Sequence, residues 1–309
     1  MDVSIIIVNY KTPRFVIDSI KSINSHSEGF SYEIIVVDNA SNDGSVDLIK
    51  KECQDAIIIS SNENLGTSKA YNLAISHSRG DYIFLLNPDT LLLNNAIFLM
   101  LQFISNNENV ATVCGNLYDL DKNPTHSYHL RPLSLKTIKK SASLLHLISI
   151  RFNRRKFHDQ FNYTDKPIEV GYACAAAMLI SKTICQKVGF FDESIFMYGE
   201  ESALAYKLRK LGFITMNIPD AAIVHFEGGS FADKKDLHFS PTRYRRFIRG
   251  NYAAFNITEG LNGGENYYKI LLKNEKKYSF LFSFYSKAKY LISKQKIQII
   301  EEEMKRYQK

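Results

Sequence analysis

Cysteine is scarce in this chain. Cys53, Cys114, Cys174 and Cys185 stand far apart and form no Cys-x-x-Cys pair. That argues against a zinc site or a disulfide framework and suits a reducing, cytoplasmic compartment. Long apolar runs are missing as well. The longest candidate, Leu91 to Ile104, is interrupted by Asn94, Asn95 and Gln102. It falls short of the ~18 residues of a membrane span and reads as a buried helix. Met1-Asp2-Val3-Ser4-Ile5 carries no basic stretch, and Asn9 cuts the apolar run short, so a first strand is expected there and not a signal peptide. No Gly-x-Gly-x-x-Gly follows that strand, which disfavours a dinucleotide oxidoreductase. A Walker lysine motif and a nucleophilic Ser or Cys elbow are absent too. Nor is there an internal repeat or a low-complexity segment.

What is present is an ordinary globular composition: 309 residues, 45% hydrophobic and 23% charged. That is enough for one large domain, or a domain plus an extension. Buried strands are expected at Val3–Val8, Glu33–Val37, Ala56–Ser60 and Tyr82–Leu86, with helices between them. Ser68 is expected to cap the third helix and Gly80 to end it. The alternation predicts an α/β fold with a mainly parallel twisted sheet and flanking helices. Residues 117–164 are basic and weakly patterned, and read as a mobile insertion. Val170 to Ile180 reads as one strand, Ile214–Ile218 and Ala222–Phe226 as two more. The division expected is a catalytic domain over 1–239 and a mainly helical basic extension over 240–309.

Two carboxylates end strands of this sheet. Asn87-Pro88-Asp89 follows Leu86, and Pro88 stops the ladder so that Asp89 is presented at the carboxyl end. Open α/β sheets bind ligands at that edge, and a carboxylate there suits a hard divalent cation that neutralises a diphosphate. A plain turn with a helix cap is the alternative. Asp38 ends the second strand in the same way and is suited to a base or ribose, or else caps the turn Asn39–Gly44. Glu200-Glu201 open a helix after an aromatic run, where the macrodipole favours them; they also suit a site wall carrying a base. His225 follows a strand and precedes Gly228-Gly-Ser230, so it is either a structural histidine or a group near phosphate.

In order, Val3–Tyr10, Val36–Ser45, Asn62–Gly66 with Asn72, Asn87–Thr90, Gly189–Glu193 with Tyr198–Glu201, and His225 with Gly228–Ser230 resemble family 2 glycosyltransferases of the GT-A fold. The rhamnosyltransferase-like branch is the nearest in pattern, and the resemblance covers roughly residues 3–230. It implies a nucleoside-diphosphate sugar held by Asn9, Asp38, Asn64, Gly66, Asn72 and Asn87. It also implies Mg²⁺ or Mn²⁺ near Asp89 and His225, and a catalytic base at Glu201 or its neighbour Glu200. Asn87 stands where the family's Asp-x-Asp motif has its first acid, and Glu201 where an Asp is usual. The implied reaction is an inverting transfer to a glycan or polyprenyl-diphosphate-linked acceptor in cell-surface polysaccharide synthesis. A catalytically inactive nucleotide-sugar-binding scaffold is the alternative that Asn87 and Glu201 support.

Charge adds two expectations. Arg245 and Arg249 share a helix face at i, i+4 and suit a clamp on the donor diphosphate, or a solvated face. The net charge of +7 resides in residues 269–309, a basic tail for a polyanion or an anionic membrane surface. Leu281, Phe284, Tyr285, Ala288, Leu291 and Ile292 form a helical stripe beside it. That implies a peripheral place on the inner face of the cell membrane, or packing on the catalytic domain, or a homodimer. Nucleic acid is disfavoured, since no recognised motif is present.

Overall fold

The computed structural model describes residues 1–141, 160–226, 239–284 and 286–307. The chain divides into two compact units. One gathers Met1–Pro132, Phe157–Glu193 and Leu204–Ala232; the other gathers Leu133–Lys156, Ser194–Ala203 and Asp233–Lys309. The second unit therefore begins well before residue 240 and draws in two earlier segments.

The first elements in chain order are β1 (Val3–Asn9), α1 (Pro13–His26), β2 (Tyr32–Asp38), α2 (Ser45–Glu52), β3 (Ile57–Ser60), α3 (Gly66–His77) and β4 (Tyr82–Leu86). β5 (Thr90–Leu92), α4 (Ala96–Ser105), β6 (Val110–Tyr118), β7 (Tyr128–His129) and α5 (Leu135–Ser141) follow. Then come β8 (Ile168–Val170), β9 (Tyr172–Ala173), β10 (Ala177–Ser181), α6 (Lys182–Gln186), α7 (Glu200–Lys210) and β11 (Ile214–His225). The main sheet has the order β3-β2-β1-β4-β10-β6-β11-β5, with β8 beside β11. β1 to β4 are parallel to one another, and β10 is antiparallel to both β4 and β6.

The apolar runs form strands because the sheet is covered on both faces. Ile5, Ile7, Ile34, Val36, Phe84 and Leu86 enter one core with α1 and α4. Ile6, Ile35, Val37, Ile83 and Leu85 enter the other with Tyr71 and Ala74 of α3. Each such buried aliphatic contributes about 1.5–3 kcal/mol relative to an exposed one.

Several expectations change. Leu91–Ile104 is not one helix: Thr90–Leu92 pairs with β11, and α4 starts only at Ala96. The two asparagines cause the break. Asn94 bonds Asp220 O (2.7 Å) and the Ala222 amide (3.1 Å), while Asn95 bonds Glu28 O (2.9 Å). α3 starts at Gly66, not after Ser68, and is finished by Ser78, not Gly80. Gly80 is needed for close approach: a Cβ there would lie 2.4 Å from the Ser4 amide nitrogen. The expected insertion is ordered over its described part. Leu117 and Tyr128 are buried, and β7 pairs with β9. Its remainder, residues 142–159, lies outside the described residues. Val170–Ile180 splits into three short strands, whereas 214–225 is a single strand with an irregularity between Ile218 and Ala222.

In the second unit α8 (Pro241–Glu259), α9 (Gly263–Phe282) and α10 (Lys287–Tyr307) account for the expected helical extension. Ser240 Oγ caps α8 by accepting from the Arg243 amide, with Pro241 at the first position. Phe255, Tyr267, Tyr268, Ile299 and Ile300 form the core. α9 and α10 are separate helices, so the stripe expected over 281–292 is interrupted by a turn at Ser283 and Phe284, and its member Tyr285 lies outside the described residues.

Arg245 and Arg249 converge on one carboxylate. Arg245 donates to Glu303 (2.6 Å) and Glu302 (2.7 Å), and Arg249 donates twice to Glu303 (2.7 and 2.9 Å). Burial pushes the Glu303 carboxyl up, but the two guanidinium groups outweigh it and hold the group below the usual range. Its stabilising contribution is therefore full above the ordinary value of 4.5 and is lost as pH falls through the depressed one. Glu303→Gln should lower stability by about 2–3 kcal/mol at neutral pH, less than a fully buried pair because the arginines are part-exposed. Thermal melts from neutral to acid pH should show that gap closing. An equal gap at every pH would contradict it.

Candidate active site

The carboxyl edge of β1 and β2 is tied by one side chain. Asn9 is fully buried and lies opposite Asp38 in the parallel register. Its Nδ2 donates to Asp38 Oδ1 (2.7 Å) and Ser41 Oγ (3.1 Å), and its Oδ1 accepts from the Thr12 amide (3.1 Å) and hydroxyl (3.2 Å). Asp38 Oδ2 accepts from the Ser41 amide (3.1 Å). These bonds hold two turns with left-handed residues, Lys11 (φ 61), Ala40 (φ 61) and Asn42 (φ 50). Left-handed backbone at Lys and Ala is costly, and it persists only where its surroundings over-determine it. Asn9 is thus a positioning residue. Asp38 receives two donors, and a carboxylate has room for about four.

Asn39 passes for a turn residue in the sequence, and the structure gives it a larger part. It donates to Asn64 Oδ1 and to Gly66 O (3.2 Å each) and accepts from the Leu65 amide (2.7 Å). Asn64 in turn accepts from the Gly66 amide (3.0 Å). The loop that carries Asn64 and Gly66 is thereby fixed to the end of β2. Asn72 is engaged elsewhere: its amide pairs with both backbone groups of Phe191 (2.9 and 3.2 Å) and with Glu193 (3.1 Å). That ties the Phe190–Glu193 turn to α3, which makes Asn72 a positioning residue and not a free donor for a ligand.

β4 ends at Leu86, and the Asn87 amide donates to Ala176 O (2.8 Å). Asp89 is 3% exposed, and its backbone oxygen accepts from the Phe226 amide (2.9 Å). The antiparallel register of β5 and β11 sets Thr90 opposite His225, which brings His225 Nε2 to 3.6 Å from Asp89 Oδ1. His225 Nδ1 is buried without a hydrogen-bond partner among the described residues. A carboxylate beside an imidazole is a donor set that suits Mn²⁺ or Mg²⁺. No cluster of three potential ligands occurs among the described residues, so a cation here would take its remaining ligands from substrate oxygens and water. Asn87, two residues before Asp89, is half-buried. Gly228-Gly-Ser230 lie outside the described residues.

Glu200 and Glu201 belong to the second unit, at the start of α7. The segment before them is fixed by contact with α8: a Cβ on Gly250 would lie 2.1 Å from the carbonyl oxygens of Met197 and Tyr198. Tyr198 (φ 68) and Gly199 (φ 99) then turn the chain into the helix. Burial raises Glu200 well above the usual carboxylate range, and the adjacent Glu201 raises it further. Burial also raises Glu201, while backbone hydrogen bonds and the one from Glu200 pull it part of the way back down. Both carboxyls are thus held above their usual range, Glu200 the further of the two. Arg245 and Arg249 also lie in this unit, with their forks occupied by Glu302 and Glu303. That pairing is the physical reason against the expected diphosphate clamp.

The chain matches the glycosyl transferase family 2 profile over residues 4–189. It is 29% identical over 215 residues to the low-salt glycan biosynthesis hexosyltransferase Agl10 of Haloferax volcanii, covering 68% of this chain and 62% of that protein. The chain thus spans less than two thirds of that relative's length. It is 22% identical over 232 residues to the N-acetylglucosaminyl-diphospho-decaprenol L-rhamnosyltransferase of Mycobacterium tuberculosis, covering 70% of this chain and 73% of that protein. Among solved structures, the mannosyltransferase PcManGT from Pyrobaculum calidifontis, in complex with GDP-Man and Mn²⁺, has a TM-score of 0.57 at 13% identity. That likeness covers 99% of this chain and 88% of the other, and it concerns the fold. The central sheet with flanking helices is of the GT-A type, and the profile takes in Asp38, Asp89 and the strands that present them. The chain belongs to glycosyltransferase family 2.

Proposed function

We propose that this chain is an inverting glycosyltransferase. It moves a sugar, rhamnose or a hexose, from a nucleoside-diphosphate donor to a hydroxyl of a glycan or polyprenyl-diphosphate-linked acceptor. The observation that carries the reading is the buried Asp89 beside His225 at the carboxyl edge of a family 2 sheet. Hexosyl and rhamnosyl transfer by the named relatives supports the substrate class.

In this reading Asp38 accepts a hydrogen bond from the base or ribose, and the loop held by Asn39 lines the nucleotide through Asn64 and Gly66. Asp89 and His225 would hold a divalent cation, which would supply neutralising charge to the leaving diphosphate. Glu201 takes the proton of the acceptor hydroxyl as its oxygen bonds to the anomeric carbon. The bond from that carbon to the diphosphate breaks on the opposite face, and its electron pair leaves with the nucleoside diphosphate. Glu200, still protonated, donates to Glu201 and keeps it ionised. A screen of the purified chain against nucleotide sugars, read by release of nucleoside diphosphate, tests the whole. Tight donor binding with no turnover on any donor and acceptor would favour the scaffold reading instead.

Asp89→Ala should reduce transfer roughly 10²–10³-fold and weaken nucleoside-diphosphate binding in the presence of Mn²⁺. Titration calorimetry with and without the cation reads the second effect. Undiminished wild-type activity in excess chelator would remove the cation from the reading.

Glu201→Gln should leave donor affinity unchanged and cut turnover by about 10²–10⁴-fold, with Glu201→Asp retaining more. A dead Glu200→Gln beside a near-normal Glu201→Gln would move the base to Glu200. Because burial raises Glu201, the rate should climb with pH through a midpoint above the ordinary 4.5. Glu200→Leu cannot donate to Glu201, so it should move that midpoint higher, whereas Glu200→Gln should leave it nearly in place. The pH profile of kcat for the three proteins separates these outcomes.

A further inference from the structure

The hairpin of α9 and α10 carries a surface that glycosyl transfer leaves unused. Phe280 near the end of α9 and Phe284 in the turn after it are 66% and 73% exposed, with their rings edge to face at 5.1 Å. Leu291, on the returning helix, is 51% exposed. Along the same hairpin Lys273, Lys277, Lys287, Lys289 and Lys294 are exposed and have no acidic partner among the described residues, and Lys273 and Lys277 lie in one groove with Phe280. Lys276 is exposed as well but pairs with Glu301 (3.2 Å). Leu272, Phe280 and Met304 line a shallow groove of about 600 Å³ together with Lys273, Lys276 and Lys277.

Charge decides what covers this face. Two copies meeting here would set lysines against lysines, which is unfavourable. An anionic lipid surface answers both features: headgroup phosphates meet the ammonium groups, and the rings enter the boundary between headgroups and acyl chains. Lysine suits such a place because its stem lies along apolar surface while its charge stays in water. No helix among the described residues is long and apolar enough to cross a membrane, so the contact is one of lying on the surface.

We propose that the α9–α10 hairpin docks on an anionic membrane, with Phe280 and Phe284 as the inserted rings and the surrounding lysines as the electrostatic contact. This is independent of the reaction assigned above.

The test is co-sedimentation of the full chain with vesicles of phosphatidylcholine, alone or mixed with phosphatidylglycerol, at low and high salt. Binding is expected on the mixed vesicles, weakened by salt and absent on the neutral ones. Each lysine charge lost should cost roughly five-fold in affinity, and reversal costs more than loss, so the Lys277→Glu, Lys287→Glu and Lys289→Glu triple variant should lose more than ~10²-fold. Phe280→Ser with Phe284→Ser should also release the protein, and because both rings are exposed its melting should be unchanged. No binding of the wild type to mixed vesicles at low salt would overturn the proposal. So would a double Phe variant that binds like the wild type while inorganic polyphosphate competes, which would indicate a soluble polyanion. Vesicle-independent dimers lost in the Phe variant would indicate self-association and overturn it too. Transfer to a water-soluble acceptor should be the same in all these proteins, so failure here leaves the reaction untouched.

Discussion

A carboxylate removed from water must be answered by donors, by a cation or by a proton, because an unanswered buried charge is prohibitively costly. Glu33, Asp38, Asp89, Glu200, Glu275 and Glu303 are all buried in this chain. Glu33 is answered by Ser4 and Arg79, Glu275 by Ser293 and Lys296, and Glu303 by two guanidinium groups. Those three hold elements together. Asp38 is met by an amide side chain and a backbone amide at the open edge of the sheet. Asp89 faces an imidazole, and burial raises the Glu200 carboxyl well above its usual range.

The parallel half of the sheet is legible in the sequence because strands covered on both faces are continuous apolar runs, and Val3–Val8 or Tyr82–Leu86 have no competing pattern. β6 is not legible, even though it is buried along most of its length. Its two neighbours, β10 and β11, come from sequence far downstream, and Val110-Ala-Thr-Val-Cys mixes residue sizes and polarity too much to announce a strand. The end of the basic tail is legible as helix but not as two helices, since the turn at Ser283 and Phe284 carries no glycine or proline. Strand-terminal acids are legible from position alone.

Partners remote in sequence are not. Arg245 and Arg249 show their shared face in any helical reading, yet Glu303 lies more than fifty residues on, and only the fold reveals that it occupies both. Asn39 follows Asp38 directly, and its importance emerges only when Asn64, Leu65 and Gly66 close around it. Asn72 likewise finds its partners in the Phe191–Glu193 turn. In each case an ordinary polar side chain acquires its meaning from distant backbone, a dependence that local spacing does not record.

The buried amide of Asn9 has a consequence for anyone redesigning this edge of the sheet. It joins the turn after β1 to the turn after β2, so the two move as a single piece. A library that varies one turn alone would work against an anchor still fitted to its old partner. Varying residues 10–12 together with 39–44, while leaving Asn9 and Asp38 in place, treats the pair as the one inheritable module that it is.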